Sequence, residues 1–60
     1  MHRRILRLAD VLHLTGLSRS SIYMKVANDQ FPKQLLLGVR AVGWREEDIE
    51  RWMEELPEKR

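Results

Sequence analysis

Residues 15–23 read Thr15-Gly16-Leu17-Ser18-Arg19-Ser20-Ser21-Ile22-Tyr23, and the fold turns on this stretch. Glycine is the residue type that ends helices in the left-handed conformation. Leu8, Val11 and Leu12 precede Gly16 at helical spacing, which predicts a short first helix over about Leu8–Leu14. Ser18 fits the N-cap of a second helix, with Leu17 as the apolar residue just outside the cap. The pair reads as a helix, a tight turn and a second helix.

Stepping 100° per residue from Ile22 places Val26 beside it on the buried face of the second helix. Ser20, Met24 and Ala27 fall on the far side, with Ser21 and Tyr23 on the flanks. That outward face is short, polar and almost free of charge, whereas a helix built only for solubility carries Glu and Lys there. Small side chains let the backbone approach another surface. In a helix-turn-helix the second helix lies in the DNA major groove with its N-terminal residues at the base edges, and these residues suit that task. Ser18 satisfies free helix amides, and Ser20 and Ser21 can hydrogen-bond to bases or phosphates. Arg19 can reach a phosphate or read a guanine with two hydrogen bonds. Tyr23 can pack its ring and offer only its hydroxyl, and Met24 either touches a thymine methyl or is simply exposed. Lys25 lies beside the buried face, from which it can snorkel.

Beyond the second helix, which Asn28 and Asp29 weaken and Phe31-Pro32 ends, the period changes. Leu35-Leu36-Leu37 and Ala41-Val42-Gly43-Trp44 flank Gly38-Val39-Arg40, which predicts two short strands around a glycine-containing turn. Alternation along the first strand turns Leu35 and Leu37 to the core and leaves Leu36 exposed, a candidate for packing between subunits side by side. Glu46, Glu47 and Asp48 open a third helix with charges that complement its dipole. Ile49, Trp52, Met53 and Leu56 form its inward stripe before Pro57, and Glu47 and Arg51 are spaced as an i,i+4 pair. Arg3 to Arg7 reads as a short extended segment, and residues 57–60 as a frayed end. The chain is expected to form one domain over residues 1–60, ordered from about 5 to 56, mainly α with a small β-hairpin.

Composition narrows the function. Sixty residues leave little room for an enclosed catalytic cleft, and the chain has no cysteine, which removes disulfides and thiolate chemistry. His2 and His13 stand alone without a second ligand at metal spacing, so neither a metal nor another cofactor is expected. The acids of the third helix lie on a solvated face, with no pocket to shift a pKa. An enzyme is not expected. No apolar run approaches the length of a membrane span, and Met1 to Arg4 lead into an amphipathic stretch rather than a signal-peptide core; a soluble, cytoplasmic, nucleoid-associated protein without membrane contact is expected. Trp44 and Trp52 sit at core spacings. The net charge of +2 conceals a split: residues 1–45 carry eight Lys or Arg against two acids, and residues 46–60 carry three against seven. A basic body with an acidic tail suits one face turned to a polyanion.

Taken together, LSRSSIY, FPK, LLGVRAVGW and EEDIERW resemble the AlpA family of phage regulatory proteins, MerR-like winged helix-turn-helix modules related to phage excisionases. The likeness runs from about Leu6 to Met53, and FPK combined with RAVGW is its most specific part. The resemblance implies a winged helix-turn-helix whose recognition helix covers about Arg19–Asn28. It also implies a hairpin wing whose tip, Gly38-Val39-Arg40, approaches the DNA backbone or minor groove. The DNA-facing residues are then Ser18, Arg19, Ser20, Ser21, Tyr23, Met24, Lys25 and Arg40, with Lys33 at the periphery beside Arg7 and Arg45. Double-stranded DNA is the implied partner, integrase a further one, and the implied role is activation of integrase or excision genes or an excisionase-like part in bending attachment-site DNA. Where relatives carry Arg, this chain has Met24, and where they carry a Gly-basic pair it has Asp29-Gln30, so some phosphate contacts are expected to be missing. With no dimerisation helix, a monomer that assembles cooperatively on adjacent DNA sites is expected. The competing expectation is a small protein-binding module that engages an integrase or a regulator through Leu36 and the acidic helix.

Overall fold

The computed structural model describes residues 4–59; His2, Arg3 and Arg60, on which parts of the metal, strand and frayed-end expectations fall, lie outside them. In chain order the elements are β1 (Ile5–Leu6), α1 (Leu8–Thr15), α2 (Arg19–Ala27), β2 (Leu35–Leu36), β3 (Val42–Arg45) and α3 (Glu46–Glu54). The helix-turn-helix, hairpin and third helix stand where the sequence places them. The extended N-terminal segment does more than lead in. It pairs antiparallel with β3, Ile5 opposite Arg45 and Leu6 opposite Trp44, so the hairpin becomes a three-stranded sheet in the order β1-β3-β2.

The turn between α1 and α2 is fixed by two residue types. Gly16 takes φ 73° and its amide donates to the Leu12 carbonyl at 2.9 Å, a closure that costs a side-chain-bearing residue strain. The Thr15 hydroxyl donates back to the Val11 carbonyl at 2.8 Å and accepts from the Leu17 amide at 3.2 Å. α2 ends earlier than Phe31-Pro32 alone would require. Asp29 adopts φ 56°, the Gln30 amide donates to the Lys25 carbonyl at 2.7 Å and the Asp29 amide to the Val26 carbonyl at 3.2 Å. These are the two bonds of a Schellman ending, in which Asp29 occupies the left-handed position that glycine prefers.

Leu6, Val11, Ile22, Phe31, Trp44 and Ile49 form the buried core, and Leu8, Leu12, Leu17, Val26, Trp52 and Met53 pack partly against it. Each fully buried side chain contributes about 1.5–3 kcal/mol. Phe31 lies edge-on to Trp44 at 6.0 Å and to Trp52 at 4.6 Å between ring centroids. The two indoles donate to backbone on either side of it, Trp44 Nε1 to the Pro32 carbonyl at 2.8 Å and Trp52 Nε1 to the Gln30 carbonyl at 2.9 Å. The loop after α2 is therefore stapled to both the sheet and α3. Trp44 is wholly buried, as expected, while Trp52 is half-buried with a polar task.

Three expectations change. Residues opposite each other in a ladder share a face, and Leu36 opposes Val42 while Leu35 opposes Gly43. Val42 lies two residues from the buried Trp44, so Leu36 belongs to the core side of the sheet, although it is exposed as expected, at 85%. Leu35 and Leu37 belong to the outer face, where a side chain at Gly43 would meet Ile5 Cγ2 at 2.8 Å and Leu37 Cδ1 at 3.0 Å. Leu56, placed on the inward stripe of α3, lies beyond the helix end at Glu54 and is 49% exposed. Arg51 pairs with Asp48 at 3.4 Å in place of Glu47, and Asp48 also lies 3.8 Å from Arg45, so one carboxylate serves two guanidiniums.

Candidate nucleic-acid interface

α2 is held against the core by Ile22 and half-buried Val26, which leaves Arg19, Ser20, Tyr23, Met24 and Ala27 exposed. Ser20, Tyr23, Met24 and Ala27 fall at i, i+3, i+4 and i+7, a continuous outward stripe. Tyr23 is 43% and Met24 61% exposed, so the stripe combines two hydroxyls, on Ser20 and Tyr23, with one flexible thioether and a small alanine. Ser21 and Lys25 are half-buried on its margins.

The start of this helix is built by Ser18. Its Oγ accepts from the Ser21 amide at 3.1 Å and donates to Ser21 Oγ at 3.0 Å. Ser18 thus spends its hydroxyl on the helix and acts by positioning, while the Ser21 hydroxyl keeps its own hydrogen for an outside acceptor. The first turn of α2 contains no acid, in contrast to α3 with Glu46, Glu47 and Asp48 in its first turn. The positive end of the α2 dipole is left uncompensated and carries Arg19 beside it.

The cations divide by partner. Arg4 pairs with Glu46 at 3.5 Å, Lys33 with Asp29 at 3.7 Å, and Arg45 and Arg51 both with Asp48. Arg7 donates from Nε to the Val42 carbonyl at 3.1 Å, which ties the start of α1 to the sheet and makes it a strut. Among the described residues, no acid pairs with Arg19, Lys25 or Arg40. Arg40 stands exposed in the three-residue turn Gly38–Arg40, which the Leu37 amide closes by donating to the Ala41 carbonyl at 2.8 Å. Lys33 differs from the rest. It lines an open groove of about 560 Å³ between the loop after α2 and α3, with Asp48, Arg51 and Trp52 opposite.

The structure gives Thr15 a role of its own in the turn between the helices, and within the expected wing tip it sets Val39 at the centre, fully exposed. Thr15 carries a local signal, a hydroxyl one residue before the helix-ending glycine.

The family model described as prophage CP4-57 regulatory protein (AlpA) matches residues 4–57. The chain belongs to this AlpA family. Among its relatives, an uncharacterized protein of Enterobacteria phage P4, ORF88, is 44% identical over 50 residues, 83% of this chain and 57% of its own length. The DNA-binding transcriptional activator AlpA of Escherichia coli K12 is 41% identical over 56 residues, 83% of this chain and 80% of its own. This AlpA-family chain therefore spans little more than half of the phage protein. No solved structure matches it. Among the described residues no helix is long and apolar enough to cross a membrane.

Proposed function

We propose that this chain binds double-stranded DNA sequence-specifically as a prophage transcriptional regulator, with α2 in the major groove and the turn Gly38–Arg40 against the backbone or minor groove. The observation that carries the reading is the sorting of charge. Arg19, Lys25 and Arg40, on α2 and the wing, have no acidic partner among the described residues, while Arg4, Arg45 and Arg51 on the sheet and α3 are paired. Unpaired guanidiniums at a helix start and a hairpin tip are suited to phosphate and guanine. Ser18 orients the helix, Ser20, Ser21, Tyr23 and Met24 meet bases or phosphates, and Lys25 reaches a phosphate from the margin. Lys33, engaged by Asp29, contributes at most at the edge. Membership of the AlpA family and the likeness to an E. coli DNA-binding activator support the same conclusion.

Within that role the chain activates integrase or excision genes or serves as an excisionase-like factor, arriving as a monomer and assembling cooperatively on neighbouring sites. Selection of bound duplexes from a randomised library at near-physiological salt, read by sequencing, tests this. Enrichment of one motif is the expected result, and tandem copies of it would place assembly on DNA. Salt-sensitive binding with no enriched motif would refute sequence-specific recognition.

The exposure of Leu36 favours a second, compatible reading, in which the core-side edge of the hairpin contacts a protein such as an integrase. Recovery of that partner after nuclease treatment is the expected result for this reading.

A further inference from the structure

The wing tip presents an apolar side chain where turn chemistry has no use for one. Hairpin turns favour Gly, Asn, Asp and other small polar residues, and β-branched residues are poorly suited to them. Val39 nevertheless occupies the centre of the turn Gly38–Arg40 and is fully exposed, at 101%. Nothing in the fold packs against it. Gly38 on one side has no side chain and its nearest neighbour is Ala41 Cβ, 3.8 Å from where a Cβ would stand. Arg40 on the other side has no acidic partner among the described residues. The turn itself is closed from behind, since the Leu37 and Gly38 amides both donate to the Ala41 carbonyl, at 2.8 and 3.2 Å. A narrow, backbone-braced tip thus carries one stiff apolar group, whose branching at Cβ restricts χ1, next to one free guanidinium.

From this arrangement we infer that Val39 is a wedge that enters a base step of the minor groove and kinks the duplex, with Arg40 holding the tip to the groove. The inference rests on the DNA-binding reading and deepens it at the wing. Apolar side chains that partly unstack a step bend DNA toward the major groove by about 20–90°. The steps that yield most easily are pyrimidine–purine steps such as TA and CA. The wing then selects sequence by deformability, at a step that α2 does not touch. Gly38 fits the same role, because the absence of a side chain lets the tip sit close to the groove walls.

The test uses the 60-residue chain and a duplex selected with it from a random library. The bend is measured by energy transfer between dyes at the duplex ends, and unstacking by 2-aminopurine placed at successive positions under the wing. Wild type is expected to bend the duplex by tens of degrees and to raise 2-aminopurine fluorescence several-fold at one step. V39S is expected to lose most of both signals while its thermal melting stays unchanged, and V39I to keep them. A straight wild-type complex, or a V39S complex bent as much as wild type, overturns the wedge while leaving the DNA-binding reading intact. Failure of wild type to enrich or bind any duplex overturns both, and it is seen before any bend is measured.

Discussion

Ser18→Ala separates a residue that builds α2 from one that would touch DNA. The substitution removes the acceptor of the Ser21 amide at 3.1 Å and the donor to Ser21 Oγ at 3.0 Å. Loss of a serine N-cap costs about 1 kcal/mol, and the second bond adds little because an exposed Ser21 hydroxyl can turn to water. At about 0.05–0.15 kcal/mol per residue, a chain of this length has a total stability of about 3–9 kcal/mol. A loss of about 1 kcal/mol lowers the melting temperature of so small a domain by about 4–8 °C. Even from the lower bound, about 2 kcal/mol remains and about 97% of molecules stay folded at 25 °C. Circular dichroism melting should therefore show the drop, while DNA affinity at 25 °C stays within about two-fold. Ser18→Asp makes the reasoning sharper. Aspartate caps as well as serine, so melting should hold, but a carboxylate at the helix start would face phosphate and weaken binding several-fold. An unchanged melting temperature for Ser18→Ala with a ten-fold loss of affinity, about 1.4 kcal/mol, would refute the cap and make Ser18 a direct contact.

Three further substitutions probe the wing, the sheet and the end of α2. Arg40→Ala should weaken binding and reduce the dependence of log K on log salt by about one unit, whereas Arg19→Ala should cost about 1–3 kcal/mol and relax preference at one base pair; both are read by fluorescence anisotropy titrations across salt. Gly43→Ala would set a Cβ 2.8 Å from the Leu6 carbonyl oxygen and 2.8 Å from Ile5 Cγ2. Since backbone cannot step aside, a net loss of about 1–3 kcal/mol is expected, measured in urea unfolding as a lower midpoint. Asp29→Gly should raise the melting temperature by a few degrees, because relief of the left-handed φ of 56° outweighs the added freedom of the unfolded chain.

Local signals made the framework legible. Gly16 and Ser18 are read directly as a stop and a start because each acts on its own backbone, and Ile22 and Val26 follow from the helical period. The wing was visible as a change from period 3.6 to short apolar runs around Gly38. Part of the rest depends on partners far along the chain. The face taken by Leu35, Leu36 and Leu37 is set by their register against β3, and a one-residue shift reverses every side chain. Three consecutive leucines give alternation nothing to choose between. Asp48 and Glu47 both lie about one helical turn from Arg51, so spacing alone does not choose between them. For the candidate site, the residue types on α2 and the wing were readable, but the engagement of Ser18 by Ser21, of Lys33 by Asp29 and of Arg7 by the Val42 carbonyl required the fold.

The division of charge between the two parts of the chain acquires a physical meaning from these pairings. Glu46 and Asp48 do not merely offset the basic body; they lie within ion-pair distance of Arg4, Arg45 and Arg51, cations on the sheet and α3. Exposed pairs of this kind contribute little to stability, so their effect is better sought in the field that the molecule projects. With Arg4, Arg45 and Arg51 paired, Arg19, Lys25 and Arg40 are left as cations without an acidic partner among the described residues, and the start of α2 keeps its dipole uncompensated. A polyanion approaching from afar senses such an asymmetry before any contact forms, and it turns the protein as well as attracting it. The small net charge of +2 is thus compatible with strong, oriented attraction. Reversing Glu46 or Asp48 would raise the net charge and release the guanidiniums of Arg4, or of Arg45 and Arg51, from their acidic partners. Non-specific affinity would rise, and the advantage of specific sites over it would shrink.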